Sequence, residues 1–111
     1  MKIVYYIKKT IEISAAHKLS LDYPSKCSTL HGHNWLVTIE CKSEKLNECG
    51  MVIDFSKIKS IVEELDHKEI NIGVNPTAEN IAKHLCDRIP YCFRVSVQET
   101  EGNVATYCKP E

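Results

Sequence analysis

Two runs of strict alternation constrain this chain more than any other feature. Between Lys2 and Ile13 the odd positions Ile3, Tyr5, Ile7, Ile11 and Ile13 are apolar, while Lys2, Lys8, Thr10 and Glu12 take the even side. A period of two belongs to a half-buried strand, because successive side chains of a strand point to opposite faces of its sheet. Trp35, Val37, Ile39 and Cys41 alternate with Leu36, Thr38, Glu40 and Lys42 in the same way. The two runs are expected to pair as a hairpin, with His17 at the far end of the first. From Lys18 onward the connection contains Pro24 and small polar residues, and it carries Cys27 and His31. A connection of that length in a small domain is usually functional.

The remainder supplies two helices and two more strands. Residues 43–50 read as a turn, and Asp54 is a good helix N-cap ahead of Ile58, Ile61, Val62 and Leu65, which fall at i, i+3, i+4 and i+7 and end near Asp66. A second helix is expected from Thr77, after Asn75-Pro76, with Glu79 in its first turn, Ile81, Leu85 and Ile89 on its buried stripe and Pro90 as its stop. Phe93, Val95 and Val97 mark a third strand, and Val104 to Cys108 a fourth after the Glu101-Gly102-Asn103 turn. The order ββααββ predicts an α+β fold, an antiparallel four-stranded sheet with two helices on one face, and residues 1–111 as one domain.

Composition excludes more than it selects. A net charge of −1 and the lack of any Lys/Arg run argue against a nucleic-acid partner. No segment has the apolar length of a membrane span, and the opening Met1-Lys2-Ile3-Val4-Tyr5-Tyr6 does not read as a signal peptide, so a cytoplasmic location is expected. That location and the ordinary apolar content make the six cysteines thiols rather than a disulfide framework. At 111 residues the interior is modest, which places any pocket at a subunit interface and predicts an oligomer.

Chemistry gathers around Cys27-Ser28-Thr29-Leu30-His31-Gly32-His33-Asn34-Trp35 and the upstream Ala15-Ala16-His17. Residues two apart on a strand share a side, so His31 and His33 can face one ion, and His17 reaches it from the paired strand. Three histidines leave a tetrahedral Zn²⁺ one open position, the arrangement of catalytic zinc. Taken alone, a His-x-His pair is more often two surface histidines. Cys27 has no Cys-x-x-Cys partner and reads as a reactive thiol beside the metal. Glu99 has the parity of Phe93, Val95 and Val97: it either points a carboxylate toward the apolar side, where it needs N–H donors or a cation, or follows the end of the strand into solvent. Asp66-His67 reads either as a helix-end cap or as an acid-oriented imidazole able to take a thiol proton.

Together, Ser14-Ala15-Ala16-His17-Lys18-Leu19, Cys27 to Trp35, Gly50-Met51-Val52-Ile53-Asp54-Phe55, Leu65-Asp66-His67, Asn75-Pro76-Thr77-Ala78-Glu79-Asn80 and Glu99-Thr100 resemble the 6-pyruvoyl-tetrahydropterin synthase family across nearly the whole chain. The resemblance implies the tunnelling fold (T-fold), assembled as trimers or hexamers with pockets between subunits. It implies Zn²⁺ on His17, His31 and His33, Cys27 as catalytic base, Asp66 and His67 completing its relay, and Glu99 anchoring the pterin ring with Thr100 beside it. Lys18 becomes a triphosphate contact or a solvated lysine. Three residues separate Cys27 from His31, the spacing of the 6-carboxy-5,6,7,8-tetrahydropterin synthase branch that feeds queuosine. The implied reaction takes 7,8-dihydroneopterin triphosphate to 6-carboxytetrahydropterin, acetaldehyde and triphosphate. The alternatives are a 6-pyruvoyl-tetrahydropterin synthase and a non-catalytic zinc-stabilised oligomer that binds pterins or purines. Trp35 stands where the family more often has Tyr, Ile13 stands where an aromatic residue is common, and the segment from Ile70 to Asn75 is short.

Overall fold

The computed structural model describes residues 2–111; Met1, which opens the segment read for a signal peptide, lies outside the described residues. Strands β1 (Tyr5–His17) and β2 (His31–Ser43) are thirteen residues each. They pair antiparallel without interruption from Tyr5↔Ser43 to His17↔His31. Helix α1 (Phe55–Val62) is followed by a short 3-10 turn, Glu63–Leu65, and helix α2 (Ala78–Arg88) leads into β3 (Cys92–Thr100) and β4 (Asn103–Cys108). The sheet is antiparallel with order β1-β2-β3-β4.

Local chemistry explains where the helices begin. Asp54 caps α1 by accepting from the Ser56 N–H at 2.8 Å, and Thr77 caps α2 by accepting from the Asn80 N–H at 3.1 Å, each satisfying a donor the first turn cannot. Ile58 and Val62 from α1, and Ile81, Leu85 and Ile89 around α2, join Ile11, Ile13, Trp35, Val37, Ile39, Val95 and Val97 of the sheet in one buried cluster. Both helices therefore cover the same face. The opposite face is polar, with hydroxyl pairs Thr10–Thr38 and Ser96–Thr106 and the Arg94–Glu40 ion pair across neighbouring strands. Among the described residues no helix is long and apolar enough to cross a membrane.

Three local expectations are corrected. The first strand starts at Tyr5 rather than Lys2 and runs on to His17, because Ala15 and His17 continue the buried parity of Ile11 and Ile13. His31 belongs to β2, not to the connection, since its backbone pairs with His17. In β3 the buried residue near the start is Cys92, with Phe93 only half-buried: the register shifts between Glu40 and Cys41, so that Cys41 faces Cys92 and the parity slips by one. All six cysteines are free, with Cys41, Cys86 and Cys92 buried.

Candidate metal centre

The hairpin register builds the centre. His17 lies directly opposite His31 across β1 and β2, and His33 follows two residues along on the same face. The three rings converge, with centroids 4.6 Å apart for His17 and His31, 5.1 Å for His17 and His33, and 4.8 Å for His31 and His33. One ligand atom from each lies within 4.8 Å of the others. Trp35 closes the inner side, its ring edge-on to His17 and His33 at 4.8 and 5.1 Å and its indole N–H donating to the Ala15 carbonyl at 3.0 Å. His17 is fully buried, whereas His31 and His33 are half-buried, so the centre opens outward along β2.

Backbone carbonyls choose the ring tautomers. His17 Nδ1 sits 2.7 Å from the Pro76 carbonyl and His31 Nδ1 sits 2.7 Å from the Thr29 carbonyl. A carbonyl can only accept, so each Nδ1 carries the proton and each neutral ring turns a bare Nε2 lone pair inward. Pro76 is held just ahead of the α2 cap, which is how the second helix orients a histidine on the first strand. His17 Nε2 and His33 Nε2 are buried without a hydrogen-bond partner. Two such orphans in one small centre are costly unless something accepts their lone pairs, and a divalent cation fits that donor set. Burial lowers the His33 pKa, helped by the neighbouring His17 and His31 against the opposing pull of Glu99, which favours the neutral ring a metal needs.

Glu99 reaches the same centre from β3. The β3–β4 register shifts between Gln98 and Thr100, leaving Glu99 without a partner residue at a bulge. Its carboxylate lies 3.4 Å from His33 Nε2 and 3.8 Å from His17 Nε2. The strand continues to Thr100, so Glu99 points inward and does not follow a strand end into solvent. Thr100 itself is exposed, and its hydroxyl accepts from the Asn103 side-chain amide at 2.7 Å.

The proposed relay is placed differently. Asp66 Oδ1 accepts from the Ser14 N–H at 2.8 Å and lies 3.1 Å from His67 Nδ1. That Ser14 donor, more than His67, holds the Asp66 carboxyl below its ordinary pKa. His67 has a left-handed backbone, φ 58°, fixed by its own N–H on the Ser14 carbonyl at 2.6 Å. It lines an open cleft with Gly32, His33, Asn34 and Lys68. Cys27 sits half-buried in a short 3-10 turn, Lys26–Ser28, that Ser25 caps. Among the described residues no hydrogen bond joins Cys27 to Asp66 or His67 within the chain. Lys18 is exposed and borders a separate surface depression with Ser28, Asn71 and Asn75. Pro76 and Thr29 act through backbone carbonyls, which no sequence pattern announces.

The sequence profile of the 6-pyruvoyl tetrahydropterin synthase family matches residues 6–110. A Bacillus subtilis protein named 6-carboxy-5,6,7,8-tetrahydropterin synthase is 28% identical, the match covering 93% of this chain and 84% of that protein. A Pyrococcus horikoshii relative, given the same name provisionally, is 45% identical over 74 residues, 63% of this chain. The match spans 46%, about half, of that relative's length. The solved structure of Caenorhabditis elegans 6-pyruvoyl tetrahydropterin synthase superposes with a TM-score of 0.72 at 23% identity, covering 99% of both chains, and shares the fold.

Proposed function

Since the chain belongs to the 6-pyruvoyl tetrahydropterin synthase family, we propose that it is a zinc-dependent carbon–carbon lyase of the 6-carboxy-5,6,7,8-tetrahydropterin synthase branch. It would convert 7,8-dihydroneopterin triphosphate and water to 6-carboxytetrahydropterin, acetaldehyde and triphosphate, a step toward queuosine and other 7-deazapurines. The observation that carries this reading is the convergence of three imidazoles, two with buried, unpartnered Nε2 atoms, in a chain whose relatives bear that synthase's name.

His17, His31 and His33 hold the metal in this reading. Zn²⁺, when bound, supplies Lewis-acid polarisation of the substrate's side-chain oxygens. The Cys27 thiolate takes a proton from one side-chain carbon and returns it to the next. His67, oriented by Asp66, accepts the thiol proton and restores it. Glu99 receives the pterin N–H donors and holds the ring, with Thr100 beside it, and Lys18 meets the triphosphate. Among the described residues Cys27 makes no hydrogen bond to Asp66 or His67; a second copy would complete the relay, in keeping with a homo-oligomer, trimer or hexamer, with its pocket between subunits. We read residues 1–111 as one such domain, working in the cytoplasm without nucleic-acid or membrane partners.

Mass spectrometry of the products formed from 7,8-dihydroneopterin triphosphate tests this directly. The 6-carboxy product with acetaldehyde supports it; a 6-pyruvoyl product would assign the chain to the other branch, and no turnover with tight pterin binding would make it a binding protein.

A further inference from the structure

Glu99 stands directly against two of the three histidines. Two ligands on one tetrahedral zinc, each about 2.1 Å from the ion, are about 3.4 Å apart. Glu99 Oε1 lies 3.4 Å from His33 Nε2, and its Oε2 lies 3.8 Å from His17 Nε2. No hydrogen bond explains this proximity, because both Nε2 atoms lack a partner despite the carboxylate beside them. For His17 the conflict is sharper: its Nδ1 proton is committed to the Pro76 carbonyl, so a neutral ring presents a lone pair toward an anionic oxygen. Two acceptors face each other inside a largely buried centre. Such an arrangement is repulsive unless a proton or a metal cation lies between them, and the missing hydrogen bonds at both Nε2 atoms speak for the metal.

We propose that Glu99 is the fourth ligand of the metal held by His17, His31 and His33 while the site is free of substrate, and that it leaves the metal when a pterin binds. The inference rests on the metal reading given above and adds a second state for Glu99. Three neutral imidazoles leave both charges of a divalent ion uncompensated, and one carboxylate removes half of that charge. The bulge at Glu99 lets the side chain move between the two positions without disturbing a β3–β4 pair. In the exchange the metal–carboxylate oxygen bond breaks and a bond from the metal to a substrate side-chain oxygen forms. The carboxylate keeps its charge and accepts the ring N–H groups, so no net proton or electron moves. The open coordination place is thereby created by pterin recognition itself, and a small anion lacking N–H donors does not open it.

The test loads the intact protein with Co²⁺ in place of zinc and reads its visible absorption and metal affinity, for the wild type, Glu99→Gln and Glu99→Asp. Without pterin, Glu99→Gln is expected to shift the Co²⁺ band and to weaken Co²⁺ binding about tenfold or more, with Glu99→Asp, which keeps a carboxylate, falling between. Neopterin added to the wild type is expected to shift the band as well. One Co²⁺ per chain with the same band and affinity in wild type and both variants would overturn this proposal while leaving the three-histidine site standing. A wild type that binds neither Co²⁺ nor Zn²⁺ would overturn the metal reading and this inference together.

Discussion

The two chemical halves of the proposed site are built by different means. The metal half stands on paired strands: His17, His31 and His33 are fixed by the β1–β2 register, and carbonyls of the same chain orient two of the rings. The proton-transfer half stands on loops. Cys27 sits in a short turn of the long connection, and His67, with its side chain 81% exposed, sits beyond α1. Among the described residues the three histidines converge within one chain, whereas Cys27 makes no hydrogen bond to Asp66 or His67. Rigid strands can set ligand positions to the tolerance a metal needs, whereas loop residues at a surface can be completed by a neighbouring copy.

The comparison breaks most visibly at the metal half. His17→Ala removes a fully buried ligand, so metal analysis is expected to fall from one zinc per chain to near none, and turnover with it; retained zinc would remove His17 from the set. At the relay, His67→Ala is expected to lower kcat about 10²-fold with zinc unchanged. Mixed oligomers of Cys27→Ala with His67→Ala should recover part of that activity if the relay crosses between copies, and show no gain if each chain supplies its own. Trp35→Ala opens a cavity beneath the metal half, where Trp35 is 1% exposed; urea denaturation should register a loss of about 3–5 kcal/mol. The smallest effect is Thr77→Ala. It removes the α2 cap near Pro76, and should cost about 1 kcal/mol in the same experiment without releasing zinc.

What could be read from the sequence follows the same division. Alternation revealed β1, β2 and the shared side of the histidines, because period two is a direct imprint of a half-buried sheet. Its ends were less legible: Ala15 and His17 keep the buried parity but lack the apolar bulk that marks it, so β1 was expected to lie earlier than it does. Phe93 was placed on the buried side because a bulge at Glu40/Cys41 shifts parity without any residue of unusual type. Parity left Glu99 open between the apolar side and solvent, and could not give its approach to His33, which accompanies a second bulge. The carbonyls of Pro76 and Thr29 are invisible in sequence, since every residue has one. The resemblance named Cys27, Asp66 and His67 together, whereas among the described residues no hydrogen bond joins Cys27 to the other two.

The most direct test of the division is Cys27→Ala, measured for zinc content and for turnover on the same preparation. One zinc per chain with kcat reduced about 10²–10⁴-fold is the expected result, because the thiol moves a proton and does not hold the ion. Zinc lost in proportion to activity would contradict it, making Cys27 a ligand and the metal half no longer the work of the three histidines.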